Sequence, residues 1–196
     1  AALSLVTPSA AFADGVDAAT KKAAAAEASK ASKALGAQSY KTAAEGFESA
    51  FSKYANYTWL FNAATARQRN GDVVRAANEY ARFLAEAPEK DKNRATAKTE
   101  LANLATMLGR VELKADGASQ VTIDGQPADM STMPIYVLAG THTFEAKYGD
   151  KTVSESPTIV GGQMATVVLA KSGSGPAPAA AAGPEEKPEP APAKPA

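Results

Sequence analysis

WLFNAATARQRNGDVVRAANEYARFLAEAP, residues 59–88, decides how the first half of this chain folds. Its second part places Val73, Ala76, Ala77, Tyr80, Phe83, Leu84 and Ala87 on one face at helical spacing. Asp72 stands just before that face, where an N-cap residue belongs. Gly71 supplies the left-handed conformation a tight helix–helix turn needs, and Pro88 marks a terminus. Upstream, Tyr40, Ala43, Ala44, Phe47, Ala50, Phe51 and Tyr54 form a similar face after Ser39. Downstream, Ala97, Leu101, Leu104, Ala105 and Leu108 form a third after Asp91, which predicts a closing helix over 91–108. No proline interrupts the chain between Pro8 and Pro88, so residues 16–108 read as a helical domain.

Two of these faces repeat. Ala43 and Ala76, Phe47 and Tyr80, and Ala50 and Phe83 are each 33 residues apart. With Gly71 at the turn, small Ala76, aromatic Tyr80 and terminal Pro88, residues 59–88 resemble a tetratricopeptide repeat, a pair of antiparallel helices. The first copy departs from the pattern, with Gln38 in the place of Gly71, and its first helix is the Ala-rich stretch DAATKKAAAAEASKASKAL. The resemblance implies about two repeats plus the closing helix, and a concave groove lined by the first helix of each pair. In the second copy those groove positions include Thr58, Phe61, Asn62, Thr65, Gln68 and Arg69. The peptide-binding candidates among them are Phe61, Asn62, Thr65, Gln68 and Arg69, with Asn62 and Arg69 able to hydrogen-bond a peptide backbone or carboxylate. A plain five-helix bundle with a solvated outer face satisfies the same periodicity. Tyr57 and Trp59 read as packing residues between helices.

Residues 110–170 change period. RVELK, QVTID, PIYVLAG, THTFEAKY, KTVSE and MATVVLA are short β-branched or aromatic runs, separated by Asp124-Gly125, Ala139-Gly140, Gly149-Asp150 and Gly161-Gly162. They predict a small antiparallel β-sandwich, with a two-residue hairpin at Gly149-Asp150. A core this small gains from docking onto the helices. Val121, Ile123, Asp124, Gly125, Pro134, Leu138, Gly140 and His142 stand in an order that resembles the PEGA domain, a β module of bacterial surface and envelope proteins. Met133 replaces the threonine that usually precedes the proline, and residues 115–118 read ADGA where the family commonly has Pro-x-Gly-Ala. The chain is therefore expected to be α+β in two domains.

The ends have their own character. Residues 1–13 carry an apolar stretch and Ala11-x-Ala13, the pattern of a signal peptide remnant before a cleavage site. Residues 171–196 form a Pro/Ala-rich linker or tail; seven prolines and no aromatic lie within its last 25 residues, a composition that predicts disorder.

Little in the sequence looks like chemistry. The chain has no cysteine, which excludes thiol nucleophiles, disulfides, thiolate zinc sites and iron–sulfur clusters. With 21 basic and 21 acidic residues, no general attraction to nucleic acid is expected. No segment approaches the roughly 18–20 apolar residues of a membrane span. No nucleophile elbow or phosphate loop occurs, and Asp116, Asp124 and Asp129 match no calcium loop. The one histidine, His142, alternates with Phe144, Ala146 and Tyr148, which puts it on the apolar side of a hairpin strand. There a backbone carbonyl satisfies its ring, and Asp124 serves a turn. No catalytic residue, metal site or cofactor is assigned. The expected function is an exported, non-enzymatic scaffold or adaptor of the periplasm or cell envelope, binding a protein or peptide partner through its helices. The alternative is a cell-wall or carbohydrate-binding accessory module, for which Tyr136 and Tyr148 are the aromatic candidates.

Overall fold

The computed structural model describes residues 17–171; the expected signal remnant and all of the tail beyond Lys171 lie outside them. The fold is α+β, with five helices followed by small sheets. The helices are α1 (Ala18–Gly36), α2 (Tyr40–Lys53), α3 (Tyr57–Arg69), α4 (Val73–Glu86) and α5 (Arg94–Ala105). Each packs on the next in sequence, as short connections between antiparallel helices require. The strands are β1 (Gly109–Lys114), β2 (Gln120–Ile123), β3 (Gln126–Pro127), β4 (Ile135–Val137), β5 (Gly140–Thr141), β6 (Phe144–Tyr148), β7 (Lys151–Glu155), β8 (Thr158–Ile159) and β9 (Met164–Val168).

The 33-residue repeat reaches the level of single hydrogen bonds. At the α1–α2 turn, Ser39 N–H donates to Ala34 O (2.9 Å) and Gln38 N–H to Leu35 O (3.1 Å). At the α3–α4 turn, Asp72 N–H donates to Arg67 O (3.0 Å) and Gly71 N–H to Gln68 O (3.1 Å). Both are Schellman closures, and both need a left-handed residue. Gly71 has φ 82° and Gln38 has φ 60°, so glutamine adopts a conformation that its Cβ disfavours. The paired positions Ala43 and Ala76, Phe47 and Tyr80, and Ala50 and Phe83 are all buried. Ala-rich α1 contributes Ala24, Ala28 and Ala31 to the core. It lies so close to α2 that a Cβ on Gly46 would come within 2.9 Å of the Ala31 Cβ.

Of the three expected caps, one acts as expected. Asp72 accepts from Arg75 N–H (3.4 Å), but Ser39 holds the N-cap position of α2 without a side-chain bond. The third helix starts at Arg94 instead of 91, because Asp91 spends its carboxylate on Asn93 N–H (2.8 Å) in the turn before the helix.

The sheet region is not purely antiparallel. Sheet one has the order β4-β1-β9, sheet two β3-β2-β6-β7, and β5 pairs with β8. β1 and β9 run parallel, from Arg110↔Met164 to Lys114↔Val168. The cause is the Gly161-Gly162 turn: Gly162 N–H donates to Leu108 O (2.9 Å), so β9 starts beside the start of β1. The hairpin at Gly149-Asp150 has the expected two-residue loop, and the turn at Asp124-Gly125 is a second of the same length. Val111, Leu113, Ile135, Val137, Phe144, Ala146, Tyr148, Ile159, Val167 and Leu169 form the core between the sheets. The run THTFEAKY is broken in two, however: His142 and Thr143 fall between β5 and β6.

Helices and sheets are joined by Asn78 of α4. Its side-chain Nδ2 donates to Tyr136 O (2.8 Å), and its Oδ1 accepts from Tyr136 N–H (2.9 Å). One amide thus does for the outer edge of β4 what a neighbouring strand would do. Tyr136 and Leu108 are buried in the same cluster as Leu60, Tyr80 and Phe83, so the helical core continues into the first sheet.

Candidate functional site

The five candidate residues on α3 divide into two groups. Phe61 lies between Tyr80 and Phe83, at ring-centroid distances of 5.8 and 5.6 Å, and is part of the core wall. Thr65 Oγ1 donates to Phe61 O (3.0 Å) and meets Tyr80 Oη (3.1 Å). Tyr80 Oη–H donates in turn to Gln68 Oε1 (3.0 Å), and Gln68 Nε2 donates to Glu100 Oε2 of α5 (2.8 Å). This chain of side chains fixes the spacing of α3 and α5 and uses up Thr65 and Gln68. Burial holds the Tyr80 hydroxyl above its ordinary pKa, so it stays a donor. Asn62 is half-buried and Arg69 is exposed, and among the described residues neither side chain has a hydrogen-bond or ion-pair partner. Seven residues apart on one helix, they share a face about 10 Å in span. Tyr57 and Trp59 pack as expected, against Phe51 (6.1 Å) and Tyr54 (6.2 Å).

The most concentrated electrostatics lie behind that face, at a residue that sequence reasoning did not single out. Arg67 is 6% exposed and is surrounded by three carboxylates. Its Nε donates to Glu48 Oε1 of α2 and to Glu79 Oε1 of α4, both at 2.7 Å. Nη1 reaches Asp72 Oδ2 (3.1 Å), and Nη2 also pairs with Glu48. Burial opposes the guanidinium charge, but the Glu48 and Glu79 carboxylates outweigh it and raise its pKa. The two glutamates diverge. Burial, and then the hydrogen bond and charge of Glu48, push the Glu79 carboxyl up to about 9. Burial also opposes ionisation of Glu48, yet hydrogen bonds from Glu79 and Arg67 hold it below the usual carboxylate range. The Glu48–Glu79 pair therefore shares one proton at a pH where a lone glutamate has lost its own. A signal did exist in the sequence: Arg67 falls three, four and seven residues after Ala64, Ala63 and Leu60, on the same apolar face of α3. An arginine there must bring carboxylates in with it.

In the sheet region, His142 bonds at both ring nitrogens. Nε2 meets Leu138 O (2.9 Å), the expected carbonyl, and Nδ1 meets Asp124 Oδ2 (2.6 Å). Asp124 Oδ1 accepts from Thr143 N–H (2.9 Å). The turn reading of Asp124 is right, since Asp124 (φ 51°) and Gly125 (φ 75°) make the loop of the β2–β3 hairpin. The same carboxylate also ties that hairpin to the β5–β6 connection. The hydrogen bond from His142 holds Asp124 below the ordinary aspartate range. The histidine ring is 13% exposed and lies 6.5 Å from that of Phe144, on the apolar side. Tyr136 and Tyr148 are both 7% exposed, so neither offers a sugar-stacking platform. Tyr148 instead donates its hydroxyl to Leu169 O.

Among the described residues, no group of three or more His, Asp or Glu side chains is placed to hold a metal ion, and no helix is long and apolar enough to cross a membrane. Set against known proteins, the chain matches no family model, no curated protein and no solved structure.

Proposed function

We propose that this chain is an exported, non-enzymatic adaptor of a bacterial cell envelope. Its tetratricopeptide-like helix pairs hold an extended segment of a partner protein, and a PEGA-like sheet region braces them. The observation that carries the reading is the repeat itself. Two helix pairs share a 33-residue offset, a left-handed turn residue and the same two closing hydrogen bonds. Stacked helix pairs of this kind have an inner face suited to an extended peptide. On α3 that face presents Asn62 and Arg69, while Gln68 and Glu100 hold the neighbouring helix at a fixed distance. An amide can bond a peptide backbone at both its groups, and a guanidinium can clamp a carboxylate in two-point fashion. Export rests on Ala11 and Ala13 ahead of Asp14.

The test is a peptide array in which each sequence is displayed with a free and with an amidated C-terminus. Binding is expected to favour free carboxylates and to fall at least about tenfold in Arg69→Glu, the loss of one charge-assisted contact. Arg69 is exposed, so the variant keeps its fold. Saturable binding to purified peptidoglycan that survives Arg69→Glu sinks the adaptor reading.

A further inference from the structure

Edge strands expose unpaired backbone groups, and the sheets of this chain treat their edges differently. In sheet one, the outer edge of β4 is satisfied by Asn78. In sheet two, β3 is only two residues long and contains Pro127, while β7 carries Lys151 and Glu155 at its ends. These are the usual protections against pairing with another chain. β9 has none of them. From Gly161 to Ala170 the sequence GGQMATVVLA has no charge and no proline.

The register identifies which groups are free. Arg110 N–H donates to Gln163 O (2.9 Å) and Leu169 N–H to Lys114 O (2.8 Å), at the two ends of the parallel pairing. In a parallel ladder this phase turns Gln163, Ala165, Val167 and Leu169 toward β1, and turns the N–H and C=O of Met164, Thr166 and Val168 outward. Among the described residues nothing bonds to those outward groups. Met164 is 50% exposed, and Thr166 is exposed.

We propose that β9 is the interface through which two copies of this chain associate, edge to edge and antiparallel, about a two-fold axis at Thr166. Thr166 then faces Thr166 of the second copy, and Met164 faces Val168 on either side, so the outward groups of all three residues find partners. The two three-stranded sheets become one six-stranded sheet. Self-pairing is favoured because Met164, Thr166 and Val168 are all uncharged, so no like charges meet across the two-fold axis. The chain's own tail is a poor occupant: seven prolines in residues 172–196 remove the N–H groups a ladder needs.

Sedimentation of the full chain from micromolar to near-millimolar concentration tests this. The wild type is expected to pass from monomer to dimer. Thr166→Pro deletes an N–H that points away from β1, so the fold stands while the dimer weakens more than about tenfold. Thr166→Lys and Thr166→Glu, at an exposed side chain, are each expected to weaken self-association roughly fivefold, and an equal mixture of the two to recover it. Thr99→Lys, the same charge on the exposed face of α5, leaves the dimer unchanged. A wild type that stays monomeric throughout overturns the proposal. So does a Thr166→Pro variant that dimerises normally, or a mixture that does not recover, with circular dichroism confirming folded protein in each case.

Discussion

Single residues carry strain and satisfaction that the sequence shows unequally. Gln38 occupies the left-handed region because the α1–α2 turn needs the same closure that Gly71 provides one repeat later. That conformation costs a non-glycine residue about 1–2 kcal/mol, and glycine gives back about 0.4–1 kcal/mol through a freer unfolded chain. Gln38→Gly should therefore stabilise the protein by about 0.5–1 kcal/mol, read as a rise in denaturation midpoint at constant m. No added Cβ is involved and the Gln38 side chain is exposed, so lost packing does not offset the gain. His142 is the opposite case. Its apolar-side position was legible from alternation with Phe144, but its bond to Asp124 was not, because 18 residues separate them and only the folded hairpins bring them together. His142→Ala should lower stability by about 1–2 kcal/mol while leaving peptide binding intact. Asp124 adds a pH signature. Its depressed pKa means its stabilising contribution is complete above the unfolded value, about 4, and is lost as pH falls through the folded one. Acid titration of the wild type should show a loss of stability below about pH 4 that is smaller in Asp124→Asn.

At the scale of elements, periodicity revealed what one face shows and concealed what crosses between helices. The α2 and α4 faces, the turn at Gly71 and the two-residue hairpins follow from local spacing. The parallel pairing of β1 with β9 does not, since it depends on Gly162 meeting Leu108 across more than fifty residues. Three of the five α3 candidates are engaged within the fold for a related reason. Phe61, Thr65 and Gln68 lie on the expected helix, but their partners on α4 and α5 take them out of an open groove. The cluster that joins α2, α3 and α4 was equally hidden, because only the packing of the three helices brings Glu48, Arg67 and Glu79 together. Its energetics give a prediction with a definite sign. Glu79 keeps its proton in the fold up to about pH 9 but loses it near pH 4.5 when unfolded. Between those values the folded state binds more protons, so stability falls as pH rises. Glu79→Gln mimics the protonated carboxyl. It should flatten that slope and raise the melting temperature most at alkaline pH, and an unchanged slope from pH 5 to pH 9 would refute the shared-proton picture.

For the molecule as a whole, the question is whether the helices and the sheets unfold as one. Neither half is large, and a small β core gains from any surface it can borrow. The borrowed surface is specific: Tyr136 is buried in the helical cluster, and Asn78 satisfies both backbone groups of that same tyrosine. Arg82 of α4 approaches Asp129 at 3.9 Å, an exposed pair worth little beside the buried amide. At the other junction, a Cβ on Gly109 would stand 2.0 Å from the Ile159 Cγ2, so the entry to β1 is closed to any larger residue. These contacts should make helices and sheets one cooperative unit, with the amide as its most specific link. Asn78→Ala leaves the Tyr136 N–H and C=O without partners at a buried edge, a loss of about 2–4 kcal/mol. Asn78→Asp keeps the acceptor for Tyr136 N–H but turns a second carboxylate oxygen toward two carbonyls, those of Tyr136 and Val74, and should fare no better. Differential scanning calorimetry is expected to show a single transition for the wild type. In Asn78→Ala that transition should move down and divide in two, the sheet region melting first because its core is the smaller. A variant that melts in one transition at the wild-type temperature would mean that Tyr136 burial alone couples the halves.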